Sequence, residues 1–323
     1  MNTGSRIRKQ FIEVPLPLSY SYLSKLWIRL KGIFLSPFYL VMAQFAGGPG
    51  IGFHLWCVRI AASLFITGRI SLKTCYNYLF LPMDSTRYFE FHEVWKRVKG
   101  FSFTRYLDVS SPRLIPLLLL RAAPAATAEI INPDSSDLKE TEEFAQALGV
   151  KFRCMFTSDV LENVKLPSAS FDLITSISVL EHIPDDKAAL KTIWALLRTG
   201  GKLILTLPCL SQALEQYVSY NQYGLLHPGE DGYTFWQHYY DRSRLESCVF
   251  SVTGTPVYVA IFGEKSRGLF FRNASMKRLL GAHYPFWREP YMIATEYQPF
   301  SSTDDLPGEG VIMLEFIKTG GGK

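Results

Sequence analysis

The chain has 323 residues, 48% of them apolar, and a formal charge of +5. That is enough for one large domain or two, and too dilute a positive charge for a dedicated nucleic-acid binder, whose basic residues cluster around a recognisable motif. The charge is also uneven: residues 1–100 carry 13 Lys and Arg against 4 Asp and Glu, or +9, and the rest carries 21 against 25, or −4. A basic N-terminal third fits an anionic surface such as a membrane, or a basic appendage. The five cysteines (Cys57, Cys75, Cys154, Cys209, Cys248) are scattered, with no CxxC and no histidine at metal spacing. They predict no metal site and read as reduced thiols of a cytoplasmic protein.

Residues 1–24 begin basic (Arg6, Arg8, Lys9) and turn proline-rich (Pro15, Pro17), which predicts an exposed arm. No small-residue cleavage site follows a central apolar run, so a signal peptide is not indicated. Residues 26–67 are the most apolar part, two stretches separated by "GPGIG", each shorter than the roughly 20 residues that span a bilayer. Two readings stand open here. The stretches are helices packed on the main domain, or an interfacial anchor through residues 25–67. In the anchor, Lys25, Arg29 and Lys31 meet anionic headgroups while Trp27, Phe34 and Phe38 dip in. Residues 84–100 predict an amphipathic helix capped by Asp84 or Ser85, with a stripe of Tyr88, Phe91, Val94 and Trp95. Packing is the plain reading of such a stripe; a lid over a ligand is the other.

From 105 to 208 strand and helix alternate. Strands are predicted at 105–110, 128–132, 151–155, 171–176 and 202–207, with helices near 115–122, 137–148 and 186–197. This alternation implies a doubly wound parallel α/β sheet. Residues 170–208 are the clearest part: two buried strands joined through a helix. Residues 209–250 read as helical and aromatic, 255–263 as a strand, 268–308 as an irregular insertion and 310–318 as a last strand. The domain reading is an N-terminal helical extension over 1–83 and a main domain over 84–323, with substrate-shaping insertions at about 209–250 and 264–308.

Ligands of such sheets bind beyond the carboxyl ends of the strands. After the first strand come Asp108, Ser110 and Ser111, a carboxylate and two hydroxyls at a loop leading into a helix; the serines alternatively only cap that helix. After the second come Asn132 and Asp134, suited to ribose hydroxyls or to an ordinary turn and cap. Asp159 follows the third strand, where a carboxylate can accept from a purine amino group. Ser176, Glu181 and His182 follow the fourth. His182 is the first candidate for a general base, then His238 and Tyr240 in "FWQHYYD".

Taken together, "RYLDVSSP", "EIINPD" and "LPSASFDLITSISVLEHI…LLRTGGKLILTLP" resemble the class I S-adenosylmethionine-dependent methyltransferases of the small-molecule type. The resemblance covers about residues 84–262 plus the last strand. It implies a seven-stranded, mostly parallel, Rossmann-like sheet whose last strand is antiparallel. It also implies S-adenosylmethionine as cofactor. Asp108, Ser110 and Ser111 would then serve its methionine end, Asn132 or Asp134 the ribose, Asp159 the adenine, and Ser176 a backbone contact. The family's first motif is acidic-x-Gly-x-Gly-x-Gly; here it reads Asp108-Val109-Ser110-Ser111-Pro112-Arg113-Leu114, without glycine. The Asn-Pro-Pro-Tyr type signature of base-modifying relatives is absent, which argues against a flipped-base substrate. The expected activity is methyl transfer to a small molecule, glycan or lipid-linked acceptor. The alternative is a non-catalytic binding or scaffold protein of the same fold.

Overall fold

The structure is a computed structural model that describes residues 7–14, 18–219 and 224–320. Arg6, Pro15 and Pro17 of the expected arm lie outside the described residues. At its centre stands β5 (Phe171–Ile177), buried at every position. It is flanked in parallel by β2 (Arg105–Val109) and β6 (Leu197–Cys209). Beyond β2 lie β3 (Thr127–Ile131) and β4 (Cys154–Thr157), also parallel. Beyond β6 lies β11 (Gly310–Ile317), antiparallel to both neighbours, and then β9 (Tyr258–Glu264). From β9 to the far edge the sheet order is β9-β11-β6-β5-β2-β3-β4. The seven expected strands are all present. An eighth, β10 (Tyr297–Phe300), adds an antiparallel edge against β9.

Successive residues of these strands point to opposite faces, and each face has its own core. Tyr106, Leu173, Ile177 and Ile204 face one side; there they meet α2 (Ile51–Ile66), α4 (Arg87–Val98), α5 (Leu114–Ala122) and α6 (Ser135–Leu148). Leu107, Ile174, Leu203 and Leu205 face the other, against α7 (Asp186–Leu196). A run buried on both faces therefore reads as continuously apolar, which is why the central strands were legible.

Four local expectations change. The expected strand at 151–155 begins late: Lys151–Arg153 is a 3₁₀ turn and β4 follows it. Residues 209–250 are not mainly helical. They hold β7 (Leu214–Val218) and β8 (Thr234–Tyr239), an antiparallel pair, before a short helical run that begins with α8 (Arg242–Arg244) and continues past residue 250 into α9 (Ser251–Thr253). The supposed arm is in part a strand: β1 (Arg8–Ile12) pairs in parallel with β7. The irregular insertion carries α10 (Leu269–Leu280) and α11 (Glu289–Glu296).

The cap of α4 also differs. Its N-cap is Thr86 with no side-chain bond. Asp84 instead pairs with Lys277, and the Ser85 N–H donates to Glu289 Oε2 at 2.6 Å. The remaining N-terminal helices are α1 (Tyr22–Phe45), whose N-cap Ser21 accepts from Ser24, and α3 (Leu72–Phe80).

Because β5 carries the packing of both faces, truncation there is costly. Ile174→Ala, at a site with no exposure, is expected to lower the unfolding free energy by about 3 kcal/mol, read from urea midpoints at unchanged slope.

Candidate active site

The carboxyl ends of β2, β3, β4 and β5 open on a cavity of about 580 Å³, within the size range of small-ligand sites. Its wall is built strand by strand. Asp108, next to last in β2, is fully buried. It accepts from Thr175 Oγ1 at 2.7 Å, from the Tyr106 hydroxyl at 3.2 Å and from the Ser111 N–H at 3.1 Å. Burial pushes its carboxyl up to about 6 against these donors. Ser110 follows with φ of 51°, the left-handed region where a glycine would cost nothing. Its N–H and Oγ both donate to the Ile131 carbonyl, at 2.8 and 3.0 Å. Ser111 Oγ accepts from the Ile177 N–H at 3.1 Å. The two serines thus hold the bend that the missing glycines would have made.

At the end of β3, Asn132 Oδ1 accepts from the Asp134 N–H at 2.9 Å and its Nδ2 donates to Asp137 Oδ2 at 2.8 Å. Asp134 Oδ1 caps α6, accepting from the Ser136 and Asp137 N–H groups. Asp159 turns away: its Oδ1 accepts from Val160 N–H and Asn163 Nδ2, both at 2.8 Å. Its neighbours Val160, Leu161 and Glu162 form the wall instead.

Of the predicted residues, Ser110, Asn132, Asp134 and His182 line the cavity. Asp108 and Ser111 brace its wall from behind. Ser176, expected to offer a backbone contact, is fully buried in β5 and paired in register with Leu205, while Ser178 lines the cavity. His238 and Tyr240 are corrected. His238 is buried and its Nε2 donates to the Pro184 carbonyl at 3.2 Å; Tyr240 is buried and donates to Asp186 Oδ2 at 2.6 Å. Neither lines a chamber, although Trp236, Gln237 and Tyr239 of the same segment do. His182 Nδ1 donates to the Trp236 carbonyl at 2.7 Å, and burial lowers its pKa to about 4, so the ring is neutral.

A second chamber of about 300 Å³ adjoins the first. Arg87, Ser178, His182 and Trp236 line both. Glu181, Gln216, Tyr239, Phe270 and Glu309 are among its other walls. Glu181 is 2% exposed, and its Oε2 has no hydrogen-bond partner among the described residues. Burial pushes its carboxyl up to about 8, and the nearby Glu90 adds to the shift. Glu309 accepts from the Tyr239 hydroxyl at 2.9 Å and burial pushes it up to about 7.

Sequence reasoning missed Glu90. It is fully buried on α4, accepting from Ser178 Oγ and Thr206 Oγ1, with Arg87 Nη1 at 3.1 Å. The available signal was a carboxylate between Tyr88 and Phe91 on an apolar stripe, three residues after an arginine. Arg87, Trp236 and Glu162 were missed too, and no motif marks them.

The cavity suits the implied cofactor. Asp134, Asp137 and Glu162 supply carboxylates for hydroxyl and amino groups, Arg87 a cation for a carboxylate, and Ile131, Leu161 and Trp236 apolar surface for a ring.

Residues 114–205 match the family described as a methyltransferase domain. Two curated relatives, each a ubiquinone biosynthesis O-methyltransferase, come from Xanthomonas axonopodis pv. citri (strain 306) and Xanthomonas euvesicatoria pv. vesicatoria (strain 85-10). Each is 28% identical over 103 residues, or 32% of this chain, and the chain spans 42% of the length of each. Among solved structures, the MccD protein aligns with a TM-score of 0.47 at 12% identity, covering 72% of this chain and 96% of that one. A geranyl diphosphate methyltransferase in complex with SAM aligns at 0.46 and 8%, covering 71% and 84%. Residues 114–205 thus resemble a methyltransferase domain, and they lie within a mostly parallel sheet of the order the resemblance implies. The implied likeness holds, although the first motif has no glycine.

The raised carboxyl of Glu181 carries a sign. Unfolded, it titrates near 4.5, and folded near 8. Its contribution to stability is therefore complete below the unfolded value and is lost as pH rises through about 8. Glu181→Gln is expected to flatten the fall in thermal midpoint between about pH 5 and about pH 9, measured by calorimetry against the parent. An unchanged slope would mean that this carboxyl titrates normally.

Proposed function

We propose that the chain transfers a methyl group from S-adenosylmethionine to a hydroxyl of a small acceptor, with Glu181 taking the hydroxyl proton. The observation that carries this is Glu181, which lines a chamber adjoining the larger cavity and whose buried Oε2 has no hydrogen-bond partner among the described residues. The cofactor, when bound, supplies an electrophilic methyl on a sulfonium. Arg87 would hold the carboxylate of its methionine end, and Asp134 or Asp137 its ribose hydroxyls, with Glu162 beside the base. Ser178, His182 and Trp236 form the boundary across which methyl and acceptor meet.

Glu181 suits the proton step better than His182. A base works best when its pKa lies near the working pH, and Glu181 lies near 8 while His182 lies near 4. His182 would position: its bond to the Trp236 carbonyl fixes the strand that roofs the chamber. The names of the curated relatives favour oxygen as the acceptor atom. The acceptor's remainder, whether a free small molecule, a glycan or a lipid-linked intermediate, would be met by Gln216, Tyr239, Phe270 and Glu309.

The scaffold reading is favoured by one observation, the absent glycines at 110–114. Titration of S-adenosylmethionine separates the two. The expected outcome is measurable heat at micromolar ligand, equal for the parent and Glu181→Gln. Release of S-adenosylhomocysteine with a panel of phenols and catechols should fall by about 100-fold or more in that variant. Heat without turnover in either protein leaves a binding protein; no heat at all removes the enzyme.

A further inference from the structure

We propose that the outer face of α1 docks in the plane of an anionic lipid bilayer. This goes beyond the catalytic reading and does not depend on it. The helix has 24 residues. Its inner stripe is narrow and made of small residues, with Gly32, Ser36 and Ala43 buried. That stripe lies against α11 and the turns before it, and a Cβ on Gly32 would stand 3.3 Å from the Trp287 ring. Leu18 N–H donates to the Leu279 carbonyl at 3.0 Å and Tyr20 stacks on His283 with centroids 3.5 Å apart. The helix is therefore laid along the domain. Although it is long and apolar enough to cross a membrane, this seat orients it as a surface element.

The opposite side is apolar and bare. Leu23, Trp27, Leu30, Phe34, Phe38, Val41 and Phe45 recur at steps of three and four, so they form one stripe. Trp27 is 60% exposed, Phe34 78%, Phe38 58% and Phe45 85%. Exposed Leu55, Phe65 and Ile66 on α2 and Leu72 on α3 add further apolar surface on the neighbouring helices. Patches of such extent on a soluble surface mark an interaction site.

Charge selects the occupant. From residue 14 to residue 83 there is no Asp or Glu, while Lys25, Arg29, Lys31, Arg59, Arg69 and Lys73 are all exposed. By helical angle Lys31 borders the stripe, whereas Arg29 lies on the far side of the helix, and Lys31 Nζ lies 5.4 Å over the Trp27 ring. An interfacial helix has this composition: aromatic rings and leucines at the acyl boundary, lysine and arginine at the headgroups. A second copy of the chain would instead set like charge against like charge. The segment leading into α1 bonds to a helix that lines the acceptor chamber. Phe270 and Arg278 of α10 line that chamber, and Leu279 of the same helix bonds to Leu18.

Flotation of the full chain with phosphatidylcholine vesicles, with and without phosphatidylglycerol, tests this. The parent should float with the anionic vesicles only, and lose this at about 0.5 M salt. The variant Trp27→Ser, Phe34→Ser, Phe38→Ser should bind at least about tenfold more weakly. A second variant, Lys25→Glu, Arg29→Glu, Lys31→Glu, changes only exposed charges and should weaken binding comparably. No flotation of the parent, or flotation unchanged in both variants, would overturn the proposal. So would a dimer in sedimentation that the first variant dissolves while vesicles are ignored. Calorimetric binding of S-adenosylmethionine, run on the same samples, reports separately on the catalytic reading.

Discussion

The site depends on how the carboxyl end of β2 is tied to that of β5. Asp108 is buried where an unsatisfied carboxylate would be prohibitive. It is satisfied from both sides, by Thr175 of β5 and by the backbone of Ser111. Ser111 then reaches back through its hydroxyl to the Ile177 N–H. A left-handed residue other than glycine costs roughly 1–2 kcal/mol. The two bonds from Ser110 to the Ile131 carbonyl offset a cost of that order. The bend therefore survives the loss of the glycines, and with it the open space in front of the strands.

A second tie closes that space from above. Glu90 on α4 accepts from Ser178 and Thr206, beyond β5 and within β6, and Arg87 balances it. The helix is thereby pinned over the rim with Arg87 facing both chambers. The aromatic stripe of α4 packs as core while Arg87 of its first turn lines both chambers.

How far this was legible in the sequence follows from which interactions are local. Residues 171–177 and 197–209 could be read because strands buried on both faces are continuously apolar, and α7 because its period and its cap at Asp185 are short-range. The alternation of β7, Leu214 in and Glu215 half-out, was readable too, but the aromatic density of 209–250 masked it. β1 was not readable at all, since its partner β7 lies some two hundred residues on. In the site, Ser110, Asn132, Asp134 and His182 followed from position at strand ends. Glu90, Glu181 and Arg87 owe their character to burial against distant elements, which no local pattern encodes. His238 and Tyr240 were misassigned for the same reason: an aromatic run after the fifth strand was expected to roof the site, and its end turns inward to Pro184 and Asp186.

The central claim is that two serines keep a glycine-less loop open to a cofactor. Its most direct test is a crystal structure of the full chain grown with saturating S-adenosylhomocysteine. Density for the ligand is expected in the cavity beside Ser110, Asn132 and Asp134, with its sulfur toward Ser178 and His182 and the Ser110–Ile131 bonds intact. A loop collapsed into an otherwise well-ordered cavity, or ligand bound elsewhere, would contradict it.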